Sequence, residues 1–76
     1  MVSFTRFVLS YAEEANKFGD LARDVAADEA VNVRWSYKQL KDHIEQMQPL
    51  PVVLELLKEL HFIHRFVRYG RSEKVI

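Results

Sequence analysis

The chain is 76 residues long, 49% apolar, with 11 basic and 11 acidic side chains and no cysteine. That length allows a single domain with a small core, one that buries about 60% of the surface its unfolded chain exposes. Zero net charge gives no overall pull toward nucleic acid or anionic membrane, and the lack of cysteine excludes a disulfide framework and any thiolate metal site.

Two Gly and two Pro supply too little turn chemistry for an all-β fold, so the apolar periodicity is read as helical. Ser3 is placed to cap a first helix, in which Phe4, Phe7, Val8 and Tyr11 follow the i, i+3, i+4, i+7 spacing of one face. The same apolar run is broken by Arg6 and then by Glu13 and Glu14, unlike a signal peptide. No stretch approaches the roughly 18 apolar residues of a membrane span. With the missing cysteines, this implies a cytoplasmic protein with no membrane partner.

Asn16 caps a second segment, whose inner face is predicted as Phe18, Leu21, Ala22 and Val25. Gly19 falls early in it, where its helix penalty matters least or where a neighbouring helix needs close approach. Asp20, Asp24 and Asp28 recur every four residues, which reads as a solvated face because the glycine and terminal glutamate of a calcium loop are missing. Residues 28–35 lack helical order and form a packed connection.

Ser36-Tyr37-Lys38-Gln39 is a capping box, with Trp35 and Leu40 placed as a hydrophobic staple across it. Tyr37, Leu40, Ile44 and Met47 then form the buried face, until Pro49 disfavours helical geometry at Gln48. Pro51 suits a first helical position and Gly70 a left-handed stop. Between them Val52, Val53, Leu56, Leu57, Leu60, Ile63, Phe66 and Val67 cover a broad apolar arc. So wide an arc suits a helix packed by several others, unbroken or bent near Glu59–His61. The prediction is one compact all-α, SAM-like bundle of four helices, five if that bend is real. Its ordered core spans about 3–70, and 71–76 form a short tail.

The order of Ser3-Phe4, then Phe18-Gly19-Asp20-Leu21-Ala22-Arg23-Asp24, then Ser36-Tyr37 resembles the YozE SAM-like family of small bacterial proteins. The resemblance spans residues 3–48 and follows the last helix only loosely. It implies a helical bundle like a sterile alpha motif domain in a bacterial cytoplasm. It brings no established activity and no catalytic residues.

No catalytic, cofactor or metal site is predicted. Glu13 and Glu14 are adjacent and project in different directions on a helix, a poor acid–base pair. No Gly-rich phosphate loop is present, and no Ser has a His–acid arrangement around it. His61 and His64 have the spacing of two metal ligands, but the sequence places no third ligand, such as His43 or Glu55, beside them. A hydrogen-bonded boundary histidine is the simpler reading of His64.

The charge is unevenly spread. Residues 1–30 carry three basic and six acidic groups, whereas residues 58–76 carry five basic and two acidic. On the last helix Lys58, Phe62, Arg65 and Tyr69 fall within a ~60° stripe opposite the apolar arc, with Arg68 and His61 beside it. Lys58, Phe62, Arg65, Arg68 and Tyr69 are therefore the candidate partner-binding residues. Such a stripe anchors a protein partner or stacks on bases and contacts phosphates. The competing reading packs Phe62 and Tyr69 under helix 1 or the 28–35 segment. The expected function is a non-enzymatic binding or adaptor domain working by protein–protein contact, monomeric when dilute, with weak head-to-tail self-association. A nucleic-acid-binding accessory protein using the basic C-terminal helix is the alternative.

Overall fold

A computed structural model describes residues 2–74 of the chain, with side chains over 2–66. Its elements in order are α1 (Phe4–Leu9), α2 (Lys17–Ala27), α3 (Tyr37–Glu45) and α4 (Pro51–Lys74), with no strand among the described residues. The all-α bundle read from periodicity is the observed fold. α4 packs against all three other helices, and so does the six-residue α1. The last segment is one helix rather than two, and it continues through Gly70 to Lys74. The expected stop at Gly70 is therefore not made: a helical glycine costs only ~1 kcal/mol relative to alanine, too little alone to end a long helix.

Each N-terminus is set by the residue the sequence offers. The Ser3 hydroxyl accepts from the Arg6 N–H at 3.1 Å and donates to the Val33 carbonyl. Asn16 accepts from the N–H groups of Phe18 (3.0 Å) and Gly19 (3.1 Å). The capping box is complete, with Ser36 N–H donating to Gln39 Oε1 at 2.9 Å and Gln39 N–H to Ser36 Oγ at 3.4 Å. Such caps contribute ~1 kcal/mol each. Gln48 takes φ +52°, leaving the right-handed helical region just before Pro49, where the proline ring crowds it.

Two joints lock the first half of the chain. In one, α1 is tied to the 28–35 connection: Thr5 is fully buried and gives both its N–H (3.2 Å) and its hydroxyl (2.9 Å) to the Trp35 carbonyl. In the other, the turn after α1 lies directly on α2. A Cβ on Gly19 would sit 1.9 Å from the Glu14 carbonyl oxygen, so only glycine allows the approach. The Arg23 guanidinium donates to the carbonyls of Ala12 (2.7 Å) and Glu14 (3.2 Å), closing the same turn.

The core is Phe4 and Val8 of α1, Leu21, Ala22 and Val25 of α2, Leu40 and Ile44 of α3, and Leu56, Leu57 and Leu60 of α4. Trp35, Tyr37, Phe18, Val53 and Ile63 are half-buried around it. Three expected core residues are instead exposed. Met47 lies beyond the end of α3 and is 57% exposed. Val52 and Phe66 are 50% and 65% exposed. The reason is geometric: at 100° per residue Leu56, Leu57, Leu60 and His64 span a sector of ~100°, and Val52 and Phe66 fall outside what three short neighbours can cover. Val67, also placed on the arc, has a side chain outside the described residues.

Candidate partner-binding face

The outer face of α4 is apolar in a way the core does not need. Phe62 is 73% exposed, so the reading that packs it under helix 1 or the 28–35 segment does not hold. Phe66, one turn on, is exposed beside it, and residues four apart are surface neighbours on a helix. Sequence reasoning missed Phe66 by assigning it to the apolar arc. Its spacing from Phe62 was the available signal.

Of the predicted stripe, Lys58, Phe62 and Arg65 are exposed, while the side chains of Arg68 and Tyr69 lie outside the described residues. The described part is split. Lys58 and Phe62 line an open cleft of about 590 Å³ together with Lys17, Glu55 and Glu59, where the start of α2 meets α4. Lys17 reaches Glu59 at 3.9 Å across this cleft and lies 5.4 Å over the Phe18 ring. Arg65 instead lines a different cleft, with Arg34 and Lys38. The surface around Phe62 is thus of mixed sign rather than basic, and two carboxylates stand where a nucleic-acid phosphate would be repelled.

The three histidines are separately engaged. His64 is buried against Phe4 and Phe7, and its Nε2 donates to the Val2 carbonyl at 3.2 Å. His61 stacks on Tyr37, with centroids 4.0 Å apart and planes 8° from parallel. Its Nδ1 is buried without a partner, and its pKa is pushed below 6.5, first by burial and then by Arg65 and His64. His43 bonds the Asp28 carboxylate at 2.8 Å while Trp35 packs on its ring. No group of three His, Asp or Glu residues among those described could hold a metal ion.

The acidic run divides as well. Asp20 pairs with Arg23 and Asp24 is exposed, but Asp28 is turned inward and half-buried. The His43 hydrogen bond and then the Ala30 N–H hold its carboxyl below the ordinary 3.8. The expectation of one solvated face fails there because Asp28 is the C-cap of α2, where the chain turns toward α3.

Comparison with protein-family models, with curated proteins and with solved structures finds no match to this chain. No helix among the described residues is long and apolar enough to cross a membrane.

Proposed function

We propose that this is a non-enzymatic binding domain that acts by protein–protein contact, with the outer face of α4 as its contact surface. The observation that carries the reading is the paired exposure of Phe62 and Phe66 on successive turns of a helix whose inner face already fills the core. Exposed aromatic anchors are the usual energetic centre of a protein interface. The surrounding Lys17, Glu55, Lys58 and Glu59 supply a polar rim of both signs, which suits a protein partner better than a polyanion. The partner that fits presents an apolar pocket for two aromatic rings, with charges of both signs around it.

A standard interface covers ~800 Å² on each side, so the contact extends beyond the two rings to the start of α2. Self-association through charge alone is weak, because Asp20 is already paired with Arg23 within the chain. The domain is accordingly a monomer at micromolar concentration, with concentration-dependent association at low salt. The absence of cysteine suits a reducing cytoplasm, and the Phe18–Asp24 run supports a place among YozE-like SAM-like bundles of bacteria.

The test is a comparison of baits. The wild-type chain and a Phe62→Glu, Phe66→Glu variant are used to capture partners from the source cell, after circular dichroism establishes equal helicity. Loss of one or a few proteins with the variant supports the reading. Equal capture by both overturns it, and capture of nucleic acid that weakens steeply with salt would put a polyanion partner in its place.

A further inference from the structure

A second surface, away from Phe62 and Phe66, carries a different chemistry. Where the starts of α1 and α3 meet α4, a cleft of about 480 Å³ is lined by Arg34, Lys38, Arg65, His61 and the aromatic rings of Phe4 and Tyr37, among others. No carboxylate lines it. Arg34 and Arg65 have no ion-pair partner among the described residues, and Lys38 has only Asp42, one turn along α3 at 3.1 Å. Exposed pairs of that kind contribute a few tenths of a kcal/mol, so a ligand displaces Asp42 at little cost. Three like charges round one cleft repel one another unless an anion enters.

Some polar groups around the cleft are already engaged within the fold. The Ser3 hydroxyl is taken by the Val33 carbonyl, and His64 Nε2 by the Val2 carbonyl. The backbone N–H groups of Tyr37 and Lys38, the first two of α3, have no acceptor among the described residues, because Ser36 satisfies only Gln39 and Leu40. A helix start adds partial positive charge at the same place. His61 lines the cleft, while its Nδ1 is sealed from solvent without a partner. Two guanidiniums, one ammonium and two free amides form a donor set matched to a compact, doubly charged oxyanion.

We propose that this cleft binds a phosphate monoester, its phosphate held by Arg34, Lys38, Arg65 and the first amides of α3, and its carrier group lying along the Tyr37–His61 wall. The carrier follows from size. A phosphate group fills on the order of 100 Å³, a few water volumes, and leaves most of the cleft to whatever it is attached to. The Tyr37 and His61 rings, stacked together and buttressed by the edge contact of Phe4 on each, give that space an aromatic side. The site stands independently of the reading of the outer face of α4, because neither Phe62 nor Phe66 lines it.

The test is an amide-resolved NMR titration of the whole chain with inorganic phosphate, phenyl phosphate and adenosine 5′-monophosphate, beside a single-stranded oligonucleotide without terminal phosphate. The expected result is saturable shifts at the Tyr37 and Lys38 amides, with the monoesters tighter than inorganic phosphate. Which of the two binds better tells an aryl from a nucleoside carrier. Arg34→Ala and Arg65→Ala each weaken binding about tenfold, Arg65→Lys less so, and Lys41→Ala leaves it unchanged. Both arginines are exposed, so these variants keep the fold. Shifts that fail to saturate, equal binding of the oligonucleotide, inorganic phosphate as tight as the monoesters, or indifference to both arginine variants would each overturn the proposal.

Discussion

The inner and outer faces of α4 are both rich in large apolar side chains and have opposite fates. Leu56, Leu57 and Leu60 are buried under three other helices, while Phe62 and Phe66 stand in solvent within two turns of Leu60. Apolarity on a helical wheel therefore does not decide burial; the number and length of the neighbours do. A 24-residue helix in a bundle whose other members have 6, 11 and 9 residues is longer than its neighbours can cover. The inner face is further fixed by polar locks on the elements that cover it, and none of the described locks reaches the outer one. A surface left apolar by that imbalance is where a partner gains most.

The contrast breaks first at the inner face. Leu60→Ala is expected to cost ~2–5 kcal/mol, a large share of the stability of so small a domain, read as a shift in urea midpoint. A change within about 0.5 kcal/mol would place Leu60 outside the core. Gly19→Ala comes next, at ~1–3 kcal/mol, since the new methyl must push back the Glu14 carbonyl and the turn Arg23 holds. Thermal melts of this variant beside an Ala26→Gly control separate the clash from helix propensity. A melt indistinguishable from wild type would show that the turn is not seated on α2.

A smaller effect follows from His61. Its folded pKa lies below 6.5, so the unfolded chain binds the proton more readily. Stability is therefore full above about pH 7 and declines as pH falls through 6.5 toward the folded value. His61→Asn should flatten that decline, with urea midpoints at about pH 7.5 and pH 5.5 as the readout. Asp28 acts in a lower window: its carboxyl is held down, so the stability it lends is present above 3.8 and is lost as pH drops through its folded value. The smallest effect is expected at the outer face, where Phe62→Ala with Phe66→Ala should change stability by no more than about 0.5 kcal/mol. A cost of several kcal/mol would make those rings part of the fold.

Much of this fold was legible because it is written in local chemistry. Ser3, Asn16 and Ser36 with Gln39 each start a helix through a bond to a residue two or three positions away, and Pro51 starts one through its own fixed φ. The partners of Thr5, Gly19 and Arg23 were not legible, because each meets a backbone carbonyl that only the folded chain brings near. Gly19 came closest: a close approach was foreseeable, but its object is the turn before α2 and not another helix. The candidate face was half legible. Phe62 stood out by lying opposite the leucines, whereas Phe66 was grouped with the apolar arc although the helical wheel sets it between the exposed Glu59 and Phe62. The cationic cleft was not legible as a site: Arg65 stood out on its helix, but Arg34 and Lys38 lie some thirty residues earlier and meet it only in the folded chain.

The most direct measurement is photocrosslinking in the source cell, with benzoylphenylalanine placed at position 62 and, as a control, at Ala26 on the exposed side of α2. If the outer face of α4 is the contact surface, position 62 yields a discrete adduct with one or a few proteins that position 26 does not. Adducts at neither position, or the same adducts at both, would contradict it.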